Sequence, residues 1–106
     1  MPGYELVGAA ELAEIQDIFN NGGVLFRHGF DQQRNGRYKV RQFEEAFAQK
    51  MNVNEALAVS SGTAALRVIL AALGIQSGDK VITQAFTFVA TVEAIVESGA
   101  QPVGCD

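Results

Sequence analysis

Two helix-periodic stretches, each closed by a glycine and each followed by a short run fit for a strand, constrain what this chain can fold into. Leu66, Ile69, Leu70 and Leu73 recur at helical spacing and Gly74 stops them, after which Ser77-Gly78-Asp79 turns the chain into Val81-Ile82-Thr83. Val89, Val92, Ile95 and Val96 then mark a second helical face, with Thr87 as its expected cap, Gly99 as its stop and Gln101 to Cys105 as the strand that follows. With the apolar run Ala56-Leu57-Ala58-Val59 read as a first strand, the pattern is βαβαβ. Strands alternating with helices of this length imply an α/β fold with a mainly parallel sheet, whose ligands gather at the carboxyl ends of the strands.

Ser61-Gly62-Thr63 and Phe86-Thr87-Phe88 both fall at such ends. A chain that enters a helix through Ser-Gly-Thr leaves first-turn amides unpaired, with the positive end of the macrodipole behind them, and an anion is their natural partner. A plain serine N-cap would use the same residues.

In family order, Ser61-Gly62-Thr63-Ala64-Ala65-Leu66, Gly78-Asp79-Lys80-Val81-Ile82-Thr83, Phe86-Thr87-Phe88-Val89-Ala90-Thr91 and Gly99-Ala100-Gln101-Pro102-Val103 resemble the DegT/DnrJ/EryC1/StrS sugar aminotransferases. These are pyridoxal-phosphate enzymes of aspartate aminotransferase fold type I. The resemblance runs from about residue 40 to the end, and residues before it resemble the family's N-terminal arm. It implies an arm with two helices over residues 1–52, and the first βαβαβ part of the cofactor-binding large domain over 53–106. Gln84 stands where a proline is frequent and Lys80 where an acidic residue is frequent; neither touches the expected cofactor contacts.

The resemblance assigns cofactor binding to Gly62, Thr63, Ala64 and Phe88. The amides of Thr63 and Ala64 would hold the phosphate, Gly62 would let the backbone approach it, and Phe88 would stack on the pyridine ring. Without the resemblance, Phe88 reads as a core residue on an apolar helix face. The implied reaction passes an amino group from an amino acid such as glutamate to a keto-sugar, in lipopolysaccharide or other cell-surface polysaccharide biosynthesis. The implied enzyme is a cytoplasmic homodimer. The chemistry needs a Schiff-base lysine, which the family carries further along the chain in a Ser-x-x-x-Lys context. Lys39, Lys50 and Lys80 stand in no such context and read as solvated surface lysines. The 106 residues alone are therefore expected to be catalytically inactive.

Ahead of the expected sheet, Leu12, Ile15, Ile18 and Phe19 mark one amphipathic helix ending at Asn20-Asn21-Gly22-Gly23, and Val40, Phe43, Phe47 and Met51 mark another. The segment between them is rich in arginine. Arg27, Arg34 and Arg37 are candidates for recognising a carboxylate or phosphate through forked donors; the alternative is a solvated loop whose arginines pair with Asp31, Glu44 and Glu45. Met1-Pro2-Gly3-Tyr4-Glu5 with Phe26-Arg27, Phe30-Asp31, Arg34-Asn35 and Arg37 resembles one branch of the family, the 8-amino-3,8-dideoxy-manno-octulosonate transaminases, whose sugar carries a carboxylate.

The remaining composition narrows the alternatives. With 48% hydrophobic residues, 19% charged residues and a net charge of −4, the chain resembles an ordinary globular enzyme rather than a nucleic-acid or membrane binder. Cys105 is expected to be a buried, inert thiol in an apolar strand. One histidine and one cysteine provide neither a zinc site nor a hydrolytic triad. Other readings are a non-catalytic phosphate-binding or assembly module, a truncated remnant, and another fold type I enzyme such as a cysteine desulfurase relative, although that group favours a histidine where Phe88 stands.

Overall fold

The computed structural model describes residues 3–106; Met1-Pro2, the start of the arm's motif, lies outside them. The chain divides into two compact units, Met1–Ala58 and Val59–Asp106.

In the first unit, a single 3-10 turn at Tyr4–Leu6 precedes α1 (Ala9–Asn20), and α2 (Lys39–Met51) closes the unit's helical content. Both helices fall where the apolar periodicity predicts them. Helix α1 begins at Gly8, whose amide donates to the Glu11 carboxylate at 2.7 Å. That carboxylate also lies favourably at the positive helix end. The chain leaves α1 through Gly22 and Gly23, both at positive φ. A Cβ on Gly22 would sit 1.8 Å from the Gln33 carbonyl oxygen, so only glycine lets the arginine-rich loop close against this turn. Helix α2 ends at Asn52 in the left-handed conformation, φ 53°, a common helix stop.

Lys39, at the first position of α2, ties that helix to α1: its ammonium lies 2.5 Å from Glu14 and 2.7 Å from Asp17. It is not the freely solvated lysine the sequence suggests. Lys50 and Lys80 are exposed as expected.

The second unit holds α3 (Gly62–Ala72), β1 (Lys80–Gln84), α4 (Val89–Glu97) and β2 (Gln101–Cys105). The strands pair in parallel, Lys80 with Gln101 through Gln84 with Cys105. The connection between them contains α4, as a parallel pair requires. Leu70, Ala94, Ile95 and Ala100 form the buried core, with Leu66, Ile75 and Val81 packed around it. Gly99, φ 86°, makes the turn from α4 into β2, and a Cβ there would lie 3.2 Å from the Ser77 amide nitrogen.

The structure corrects the sequence reading of the expected βαβαβ region at three points. Residues 56–59 form no strand, so the described sheet has two strands rather than three. A strand is made by its neighbour, and the polar backbone groups of Ala58 are taken by side chains instead, its amide by Glu44 and its carbonyl by Arg27. Thr87 does not cap α4: the cap position belongs to Phe88, and the Thr87 hydroxyl bonds to that of Thr91 at 3.1 Å. Cys105 is exposed rather than buried: the described sheet has only two strands, so β2 has no neighbour on its other side, and its last residues, Gly104 and Cys105, are both exposed.

Candidate functional site at the carboxyl edge of the sheet

Chain direction gathers the candidate residues of the second unit. Helix α3 ends shortly before β1 begins and α4 begins shortly after β1 ends, so both helices run against the strand direction. Leu66 and Ile69 of α3, Thr83 near the end of β1 and Thr91 in the first turn of α4 line one cleft of about 180 Å³. Within it Thr91, in the first turn of α4, stands with Thr83 near the carboxyl end of β1, the side of the sheet where an α/β fold places its ligands.

Helix α3 opens in the arrangement its sequence suggests. Ser61 is extended, φ −162° and ψ 163°, and its hydroxyl accepts the Ala64 amide at 3.1 Å. The Ala65 amide is taken by the Ser61 carbonyl at 3.0 Å. The amides of Gly62 and Thr63 have no acceptor among the described residues. A Cβ on Gly62 would meet nothing within 4 Å. Two free first-turn amides with open space beside them fit a phosphate, while the Ala64 amide is held by the serine cap.

Phe88 stands at the N-cap of α4 and is 76% exposed. The ring joins no core among the described residues, and it presents a face that a planar group can cover. Phe86, on the same β1–α4 connection, is 98% exposed.

The arginines of the first unit are more engaged than a solvated loop would make them. Arg27 pairs with Glu44 at 2.5 Å and donates to the Ala58 carbonyl at 3.0 Å. Arg34 is only 3% exposed and donates to the Phe26 carbonyl at 2.8 Å. Its guanidinium lies 4.5 Å from the Tyr38 ring centroid, with Arg41 at 4.7 Å from the same ring, which is cation–π range. Asp31 accepts from the Tyr38 hydroxyl instead of pairing with an arginine, and this bond raises the Tyr38 pKa. Arg37 is the least committed, 4.0 Å from Asp17 with its side chain half exposed. Glu44 is held well into its charged form, first by the Ala58 amide and then by Arg27. The Arg27–Glu44 pair is one of those the sequence offered as the alternative to ligand recognition; the bonds to the Ala58 backbone were not legible, because nothing in a sequence pattern marks a main-chain partner.

These features define a class: an α/β unit with two free amides at a helix N-terminus and an exposed aromatic ring at the next helix start, on a parallel strand pair. Residues 16–106 match the DegT/DnrJ/EryC1/StrS aminotransferase family, and the chain belongs to that family. GDP-perosamine synthase of Vibrio cholerae is 48% identical over 104 residues, covering 97% of this chain and 26% of that protein. Spore coat polysaccharide biosynthesis protein SpsC of Bacillus subtilis (strain 168) is 38% identical over 101 residues, covering 95% of this chain and 23% of that protein. Among solved structures, Spr1654 from Streptococcus pneumoniae, known in PLP and PMP forms, superposes with a TM-score of 0.77 at 29% identity over 94% of this chain and 23% of that one. The chain thus spans about a quarter of the length of the proteins it matches. The fold type I expectation holds, and the cysteine desulfurase alternative gives way to the family match.

Proposed function

We propose that this chain forms the cofactor-phosphate corner of a pyridoxal-phosphate sugar aminotransferase. The observation that carries the reading is the pair of free amides at Gly62 and Thr63, in a chain whose solved neighbour exists in PLP and PMP forms. Gly62 and Thr63 hold the phosphate through their amides, Ala64 adds its own once the Ser61 hydroxyl turns aside, and Phe88 holds the pyridine ring in plane. The bound cofactor supplies an electron sink for moving an amino group.

The amino group passes from a donor such as glutamate to a keto-sugar bound for nucleotide-sugar or cell-surface polysaccharide synthesis, a reading supported by the perosamine and spore-coat relatives. The working protein is a cytoplasmic homodimer. Among the described residues no helix is long and apolar enough to cross a membrane. The 106 residues alone do not transaminate, because Lys39 is committed to Glu14 and Asp17 and neither Lys50 nor Lys80 lies in a Ser-x-x-x-Lys context. The acidic-sugar branch requires a free guanidinium, and Arg37 supplies it better than Arg27 or Arg34.

The test is titration with pyridoxal phosphate followed by its near-ultraviolet absorbance, in the 106-residue chain and in the family-length protein, with 2-oxoglutarate release from glutamate measured in both. Cofactor uptake with glutamate turnover confined to the family-length protein is the expected result. Absence of uptake in both overturns the proposal.

A further inference from the structure

A cleft of about 80 Å³ in the first unit is lined by four cationic side chains, Arg27, Arg34, Arg37 and Lys39, and by no carboxylate. Their partners do not balance them. Glu44 pairs with Arg27, and Glu14 and Asp17 pair with Lys39, which leaves Arg37 4.0 Å from an Asp17 already engaged. Arg34 has no carboxylate partner among the described residues: Asp31, close to it in sequence, accepts from the Tyr38 hydroxyl instead. Arg34 is nevertheless only 3% exposed. Of the five donors on a guanidinium, one is placed, on the Phe26 carbonyl at 2.8 Å, and Nε is buried without an acceptor. The Tyr38 ring 4.5 Å away offsets part of the buried charge but gives the fork no oxygen to hold.

The same cleft receives a helix N-terminus. Lys39 and Val40, which line it, open the 13-residue α2. Tyr38 at the N-cap supplies no side-chain acceptor, the first turn holds no acidic residue, and the amides of Lys39, Val40 and Arg41 have no acceptor among the described residues. Positive helix end and unpaired guanidinium therefore act on one small space.

We propose that this cleft binds a small oxyanion, a carboxylate or phosphate group, held by the buried Arg34, the half-exposed Arg37 and the first-turn amides of α2. Four cations are matched by three carboxylates, Glu14, Asp17 and Glu44, so one positive charge is left for the ligand to answer. The cleft is far smaller than the roughly 300–1,000 Å³ of sites that enclose a drug-sized molecule, so it takes the anionic head of an organic ligand and leaves the rest outside. Every residue of the site belongs to the first unit, and the site stands whether or not Gly62 and Thr63 take the cofactor.

The experiment is calorimetric titration of the family-length protein with propionate and with inorganic phosphate, in excess pyridoxal phosphate and at an ionic strength held constant with chloride. A saturable site for at least one probe is expected, weakened about tenfold in Arg34→Lys, which keeps the charge and loses the fork, and in Arg37→Gln. Arg67→Gln, which alters an exposed arginine of the second unit, should bind as the unaltered protein does. Steady-state kinetics separates the sources of the anion. A raised KM for glutamate or for the keto-sugar in Arg37→Gln makes it a group of that substrate, whereas unchanged KM values with the site lost make it a free anion. No saturable binding of either probe overturns the proposal, and so does an affinity that survives both variants. Thermal melting checks folding; where Arg34→Lys does not fold, Arg37→Gln decides. Failure to take up pyridoxal phosphate bears on the cofactor reading alone: phosphate bound in an empty cradle would survive both variants, and propionate then serves as the probe.

Discussion

At the scale of single residues, Phe88 shows how one sequence position supports opposite readings until its exposure is known. An aromatic ahead of Val89, Val92, Ile95 and Val96 looks like the first residue of a core face, yet the structure buries Ile95 at 3% exposure and leaves Phe88 at 76%. Phe88 precedes the first helical turn, so the 3.6-residue period that places Ile95 does not reach it. Because the ring joins no core among the described residues, Phe88→Ala should leave the melting temperature of the 106-residue chain nearly unchanged. It should weaken pyridoxal-phosphate retention by about the 0.5–1.5 kcal/mol that a stacked aromatic pair contributes, seen as faster cofactor loss on dialysis. A lowered melting temperature with unchanged retention would make Phe88 a packing residue instead.

At the scale of elements, helices were the most legible part of the sequence, since their period is internal to each segment. Strands were less so. β2 was visible because Gly99 and the apolar run Pro102-Val103 bound it closely, whereas 56–59 reads just as apolar and has Glu44 and Arg27 for partners rather than a strand. Pairing is a property of two segments, and no pattern within one reveals it. The same holds for Ser61, which caps α3 through the Ala64 amide and also stands beside the proposed phosphate contacts. Ser61→Ala removes the cap and should destabilise the second unit by about 1 kcal/mol while leaving the Gly62 and Thr63 amides free. Cofactor affinity should then hold or rise as Ala64 is released, and a large loss of affinity would mean that the hydroxyl itself contacts the phosphate.

The tie between α1 and α2 adds a pH prediction at this scale. The bond from Lys39 lowers the Asp17 pKa, so its contribution is present above the usual aspartate range and lost as pH falls through the lowered folded value. Lys39 is raised by Asp17 first and Glu14 second, so its contribution is full below the usual lysine range and lost as pH rises through the raised folded value. The difference in melting temperature between the unaltered protein and Lys39→Met should be flat through neutrality and shrink toward both extremes. A difference that instead grows toward acid pH would show that the pair does not stabilise the fold.

At the scale of the whole molecule, the accessible surface is too large for the chain's mass. It is 8463 Å², whereas the scaling for compact monomers gives about 5,700 Å² at 11.3 kDa, and about 6,900 Å² if the mass is divided between two separate domains. The excess is roughly 1,500 Å² even on the second count; Leu12, Phe19, Phe43, Leu73, Ile82 and Val96 are all exposed, and the buried hydrophobic residues are few: Ala48, Leu70, Ala94, Ile95 and Ala100. Helical periodicity marked Leu12, Phe19, Phe43, Leu73 and Val96 as faces to be covered, and a pattern within one segment does not say by what. Large apolar side chains exposed in this number favour association, and the paired strands add backbone groups open to a further strand. The 106-residue chain on its own should therefore bind a hydrophobic dye such as ANS in native buffer, sediment as more than a monomer at micromolar concentration, and melt over a broad range. The family-length protein, in which the same faces meet further chain, should bind little dye and melt sharply. A monomeric, dye-free 106-residue chain with a sharp transition would mean that these faces close on one another in solution, and that the unit stands as a domain by itself.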